Sequence, residues 1–434
     1  MNKILLNLIL ICLIGQTNLS AQWSTTNLGS GRQYLAAGAS GNKVVFAGGI
    51  GFISIPPPAR DVYDMTLGNW NSSGNLSAGR TWLACGSANN KVVFAGGSND
   101  WILTAYDNVD IYNASTQQWS TSQLSTARFK LASAVSNNKI YFAGGQNSFQ
   151  NLVFTTIDIY DAVLGTWAVQ NLPAAKYGLC GAGAGDFVVF AGGKNNAGAV
   201  TGSVDIINTV LQTMTTAQLS IPRWNATATS HGNKIYIAGG EDANGLLSKR
   251  IDIYDISTNT WSIDSLSQAR TNLCSSSLAG KVIFAGGSNV GASLVYKTVD
   301  ILDTLTNTWY LDSLTTGRAY AAATSLGNKF FIGGGHTPPF NVLSSVEIYT
   351  IGSVGIEEVN NDDALSIFPN PAEEQISFEI KSIENNLIEI YNSIGQVQYS
   401  QNAEQGLNTI SVADWPNGIY ILKSGKSQQR FIKN

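Results

Sequence analysis

From about residue 22 to residue 352 the chain repeats one pattern of apolar and polar positions. A run of small residues leads into a polar turn ending in Lys, then a short apolar run closes on Gly-Gly. After a polar loop come an alternating D-I-Y segment and a short T-x-x-W segment. The lines NNKVVFAGGSN (89–99), NNKIYFAGGQN (137–147) and GKVIFAGGSN (280–289) show how closely the copies agree. Apolar runs of this length, rich in β-branched and aromatic residues and bounded by Asn, Gly and Lys, predict strands rather than helices. Each unit therefore predicts four antiparallel strands.

Four series keep step through the chain. The glycine pairs begin at Gly48, Gly96, Gly144, Gly192, Gly239, Gly286 and Gly334, with successive steps of 48, 48, 48, 47, 47 and 48 residues. A cation leads each unit: Arg32, Arg80, Arg128, Lys176, Arg223, Arg270 and Arg318. The third series is VYD, DIYN, DIYD, DIIN, DIYD, DILD and EIYT. The fourth is Trp70, Trp119, Trp167, Met214, Trp261 and Trp309, with methionine as the one departure.

A four-stranded sheet is too small to bury both faces alone, and stacking copies around an axis solves that while leaving only short protected edges. The small residues after each cation suit a crowded position beside such an axis, and the Trp and Tyr residues fill the wider space farther out. These motifs resemble the kelch repeat, over roughly residues 22–352. The resemblance implies an all-β fold, a seven-bladed kelch-type β-propeller. The seventh unit stops after VEIYT without a Trp-bearing strand, and AQWSTTNL at the other end supplies one, with Trp23 lying 47 residues before Trp70. The ring is therefore predicted to be closed by an N-terminal strand.

The first 21 residues read as a secretory signal peptide: a basic start at Lys3, an apolar stretch from Ile4 to Ile14, and the small residue Ala21 at the cleavage point. That stretch is short for a membrane span, and no other apolar run reaches about 18 residues, so no transmembrane segment is predicted. Charged residues are only 12% of the chain and the net charge is -4, without any basic cluster, which argues against nucleic acid as a partner. Cys85, Cys180 and Cys274 lie in runs of small residues with no neighbouring His or Lys, and read as buried apolar groups.

Residues 353–363 read as a linker. Beyond it, seven short alternating segments, from LSIFPNP to RFIKN, predict a small Ig-like β-sandwich over 364–434. SIFPNPA, IYNSIGQV and SVADWPNGIYILKSG resemble the type A C-terminal sorting domain of bacterial type IX secretion. That resemblance implies handling by the type IX machinery, export across the outer membrane, removal of the tail, and a secreted or cell-surface product.

Catalytic motifs are sparse. His231 falls in the turn between first and second strands and His336 just after a glycine pair, so antiparallel strands place them on opposite faces and they cannot share a metal. No nucleophile elbow, phosphate loop or Cys-x-x-Cys pair occurs. Neither a catalytic residue, a metal site nor a cofactor is predicted. The seven cations could form an anion-binding funnel, but seven acids recur in step with them, Asp61, Asp110, Asp158, Asp205, Asp252, Asp300 and Glu347, which favours structural ion pairs. Ligand-binding candidates come instead from the variable loops after the glycine pairs, where blades seven, one, two and three carry aromatics: His336, Phe340, Phe52, Trp101, Tyr106, Phe149 and Phe154, with Asp100 and Arg60 as polar partners. The function expected is non-enzymatic recognition of a glycan or protein ligand. The rivals are a kelch enzyme resembling sialic-acid mutarotases or sugar oxidases, and a structural matrix or adhesion component.

Overall fold

The computed structural model describes residues 22–52, 56–99, 104–339, 341–351, 366–380, 387–392, 395–424 and 427–434. The leader read at 1–21 and the linker read at 353–363 lie outside these residues. The chain divides into two compact units, Met1–Ser353 and Val354–Asn434. No described helix is long and apolar enough to cross a membrane.

In the first unit the described residues form seven four-stranded antiparallel sheets. Blade 2 is representative: Ala84–Ala88, Lys91–Ala95, Asn108–Asn113 and Gln118–Gln123 follow one another outward from the axis. The second strand of each blade is the core. In blade 1, Val44, Val45, Phe46 and Ala47 are fully buried, and sequestering a side chain such as Val or Phe contributes roughly 1.5–3 kcal/mol. First strands pack against one another around the axis, and that of blade 7 (Ala322–Leu326) meets that of blade 1 (Gln33–Ser40). A Cβ on Gly38 would lie 2.6 Å from the Cys85 sulfur, and one on Gly183 only 2.0 Å from the Val135 carbonyl oxygen. Crowding of this order is why the first strands are written in Ala, Gly and Ser.

The glycine pairs stitch neighbouring blades. In every pair the second glycine donates its N–H to the carbonyl of the next blade's cation: Gly49 to Arg80 (2.9 Å), Gly97 to Arg128 (3.0 Å), and on around to Gly335 and Arg32 (2.8 Å), which completes the circle. The first glycine of each pair sits so close that a Cβ would approach the same carbonyl oxygen, to 2.5 Å between Gly96 and Arg128. Positive φ, 65° at Gly96 and 115° at Gly97, adds a second reason for glycine.

The N-terminal strand Gln22–Asn27 closes the seventh sheet as predicted, pairing antiparallel with Ser345–Thr350 in the register Gln22↔Thr350 to Asn27↔Ser345. Trp23 packs against Tyr349, with ring centroids 5.1 Å apart, and donates its indole N–H to Asp312 of blade 6 at 3.0 Å. Trp70 reaches back to Thr26, and Trp309 to Asp264, in the same way. Blade 4 departs consistently. Where Met214 replaces the tryptophan, the residue paired with it is Ile207; tyrosine pairs the tryptophan in blades 1, 2, 3, 5 and 7, and Leu302 does so in blade 6.

Among the described residues the second unit has seven strands in two sheets. One contains Ile367–Phe368, Gln375–Ile380 and Gly406–Ser411; the other contains Leu387–Asn392, Val397–Asn402, Gly418–Ser424 and Ser427–Lys433. Ile376, Phe378 and Ile410 from the first meet Ile388, Ile390, Leu422 and Phe431 from the second in one core, which makes the pair a sandwich.

Candidate functional site

Each repeated cation is buried against the acid of its own blade. The pairs Arg32–Asp61, Arg80–Asp110, Arg128–Asp158, Lys176–Asp205, Arg223–Asp252, Arg270–Asp300 and Arg318–Glu347 are 2.6–2.7 Å apart, and the cation side chains are at most 1% exposed. Further donors go largely to backbone, as when Arg128 binds the carbonyls of Gly144, Thr126 and Phe142, while Nε of Arg32, Arg223 and Arg270 is buried without a hydrogen-bond partner. The second carboxylate oxygen of Asp158 accepts the Ser125 N–H at 3.0 Å, which ties in the segment arriving from blade 2. Burial pulls the basicity of Arg80, Arg128, Lys176, Arg270 and Arg318 down, and the facing carboxylate pushes it back. These charges face one another, and solvent does not reach them.

The feature that differs from blade to blade lies two residues beyond each cation. Tyr34, Trp82, Lys130, Gly178, Asn225, Asn272 and Tyr320 form a ring at the axial mouth, all with left-handed backbone, φ between 51° and 63°. Backbone bonds run from one to the next: Tyr34 donates to Tyr320, Trp82 to Tyr34, Lys130 to Trp82, Gly178 to Lys130 and Asn225 to Gly178, at 3.0–3.2 Å. All seven line a cavity of about 220 Å³, floored by the leucines that follow several of them.

The mouth is divided by chemistry. On blades 7, 1 and 2 three rings cluster, with centroids 4.1 Å apart for Tyr34–Trp82 and 4.5 Å for Tyr34–Tyr320. Burial pushes the Tyr320 phenol up, so it stays protonated and able to donate. Lys130, Asn225 and Asn272 supply the polar members of the ring, and the Lys130 ammonium lies 4.7 Å over the Trp82 ring. Gly178 leaves room for Trp224, whose ring carbon would lie 3.2 Å from a Cβ there, and the Lys194 ammonium sits 3.5 Å above the Trp224 ring.

Beside the mouth, between blades 7 and 1, lies a second cavity of about 640 Å³ that shares Tyr34 and Tyr320 as its wall. It brings together two of the sequence candidates. Phe52 is 82% exposed, and His336 stacks on Tyr320 with centroids 5.6 Å apart. Burial holds the imidazole below its ordinary pKa, while a hydrogen bond to the Ala292 backbone acts the other way. The Nδ1 atom of His336 is buried without a hydrogen-bond partner.

The other candidates are placed differently. Trp101, Asp100 and Phe340 lie outside the described residues. Tyr106 is half-buried and lines neither cavity. Phe149 is 81% exposed on the short turn Ser148–Gln150, and Phe154 is half-buried. Arg60 lies apart from both cavities. Its guanidinium lies 4.0 Å over the Trp119 ring, in the seam between blades 1 and 2, because strand alternation sends it to the face opposite Asp61. His231 ends the strand Thr227–His231, at the turn end away from the glycine pair. Among the described residues no group of three or more His, Cys, Asp and Glu could hold a metal. Burial pushes the thiols up, to about 11 for Cys180 and about 12 for Cys274, which leaves them unreactive.

Comparison with known proteins agrees with this architecture. The KLHDC2/KLHL20/DRC7 Kelch-repeats domain model matches residues 130–335, and the secretion system C-terminal sorting domain model matches residues 366–434. Among solved structures the chain is similar to one entitled "Structure of YjhT", at 13% identity and a TM-score of 0.51, covering 76% of this chain and 97% of that one. A likeness at that identity speaks for the fold alone. No curated protein matches.

Proposed function

We propose that this chain, which carries a kelch-repeat domain and a type IX secretion sorting domain, is an exported binding module that takes its ligand at the axial mouth of the propeller. The sorting tail supports export and a secreted or cell-surface location. The tail and its machinery are then the route, and the propeller is the cargo.

One observation carries the assignment of the mouth. Tyr34, Trp82, Lys130 and Tyr320 adopt left-handed backbone, at a cost of roughly 1–2 kcal/mol each for L-residues. Blades 4, 5 and 6 meet the same geometry with Gly178, Asn225 and Asn272, the residues that tolerate it best. Strained bulky residues persist where the surrounding structure and a function hold them. Glycine and asparagine adopt the same left-handed conformation in blades 4 to 6, so in this reading the large aromatic and cationic side chains at the other positions serve recognition. Phe52 and His336 extend the same surface on one side; Trp101, Asp100, Phe340 and Tyr106 belong to the wider loop face in this reading.

The reading is of recognition without turnover. The test is binding of the purified mature propeller to glycan and protein arrays, wild type against Trp82→Ala. Loss of the array signal with an unchanged melting temperature supports the mouth. Retention of the signal in a folded Trp82→Ala protein places the ligand elsewhere.

A further inference from the structure

We propose that the cavity between blades 7 and 1 is a second subsite, and that the ligand is an oligosaccharide reaching from it into the axial mouth. This rests on the mouth being the binding surface and adds what is bound there. Size gives the first argument. Cavities that enclose a small organic ligand usually measure about 300–1,000 Å³. The axial cavity, at about 220 Å³, is short of that range, whereas the side cavity, at about 640 Å³, lies within it. Tyr34 and Tyr320 line both, so one extended molecule occupies the two compartments by passing across those rings.

Lining chemistry narrows the class. Phe52, Pro338 and Pro339 give the side cavity flat apolar surfaces, and Gln33, Ser293 and His336 supply separated polar groups. Flat apolar walls with a few placed hydrogen-bonding groups match a pyranose ring, whose C–H faces are apolar and whose edge is hydroxylated. Phe52 defines one contact, an apolar face 82% exposed against which a pyranose ring stacks. His336 shapes the wall beside it: its ring stacks on Tyr320, and its Nδ1 atom is buried without a hydrogen-bond partner.

An extended peptide fits less well. The backbone N–H and C=O of His336 are already bonded to Ala319, at 3.0 and 3.2 Å, and the two-residue ladder His336–Thr337 is paired with Asn341–Val342. The segment His336–Thr337 therefore presents no ladder edge to which a strand could add. A polyol needs none.

The experiment is isothermal titration of the full mature chain with cellotriose, maltotriose and chitotriose, and with glucose and N-acetylglucosamine as the corresponding single units. At least one trisaccharide binds about tenfold or more tightly than its monosaccharide, because only the longer ligand fills both compartments. Phe52→Ala, which removes the exposed apolar face and disturbs no buried group, weakens that trisaccharide roughly fivefold or more, and Phe52→Trp, which restores a flat ring, recovers most of it. The proposal is overturned if none of the five sugars binds, if trisaccharide and monosaccharide bind equally, or if Phe52→Ala binds as wild type. Loss of array binding in Trp82→Ala alongside failure of all five sugars leaves the mouth standing and removes the oligosaccharide. Unchanged array binding in Trp82→Ala removes the mouth itself.

Discussion

Replacing Arg128 by methionine is the sharpest perturbation of the repeated ion pairs. The guanidinium is fully buried and 2.7 Å from Asp158. It also donates to the carbonyls of Gly144, Thr126 and Phe142 at 2.8, 3.0 and 3.0 Å. Methionine fills much of the volume, so packing changes little. What remains is a carboxylate 2% exposed, supported on one oxygen by the Ser125 N–H, and carbonyls stripped of their donors. Breaking one partner of a buried pair costs about 3–5 kcal/mol, and each stranded acceptor adds up to roughly 1–3 kcal/mol, so Arg128→Met costs about 4 kcal/mol or more. Arg128→Met with Asp158→Leu removes both charges and recovers at least about 2 kcal/mol of that loss, because residues in contact couple strongly. Urea denaturation followed by tryptophan fluorescence measures wild type, Arg128→Met, Asp158→Leu and the double variant. A cost below about 1 kcal/mol for Arg128→Met, or strictly additive single effects, refutes the account of these cations as structural.

Three further outcomes follow from the geometry. Removing residues 22–29 leaves Ser345–Thr350 as an unpaired edge and takes Trp23 away from Tyr349, and Trp23→Ala alone costs roughly 2–4 kcal/mol; an unchanged melting temperature in the deletion contradicts closure by this strand. Because burial lowers the His336 pKa in the folded state, the folded protein binds fewer protons there than the unfolded chain. Its contribution to stability is therefore full above the unfolded value of about 6.5 and is lost as pH falls toward the lower folded value. The stability of wild type relative to His336→Phe declines over that window, and a pH-independent difference refutes the assignment. Intact mass of the exported protein ends upstream of about Leu365, whereas a mature form retaining Pro369 to Asn434 excludes removal of the tail.

The parts of the fold legible in the sequence are those that every blade must repeat. Gly97 and its six counterparts meet the same carbonyl of the next blade, so they recur at a fixed step and reveal the ring. The missing strand was legible by counting, since one tryptophan stood alone at Trp23. The axial mouth was hidden for the opposite reason. Tyr34, Trp82, Lys130, Gly178, Asn225, Asn272 and Tyr320 share a position and a backbone conformation but no side-chain chemistry, and each is a single variable residue next to a constant cation. Aligning the third position of RQY, RTW, RFK, KYG, RWN, RTN and RAY exposes the series; scanning loops for aromatics passes over it. For Arg60, a place near a loop says nothing of direction, whereas its place on the strand Ala59–Asp64, next to Asp61, sends it toward Trp119.

The most direct test of the account is a crystal structure of the propeller soaked with its best array ligand. Density against Trp82, Lys130 and Tyr320, continuing past Tyr34 toward Phe52 and His336, is the predicted result. Density confined to the outer strands, or to the face that carries His231, with the axial mouth occupied by solvent alone, contradicts it.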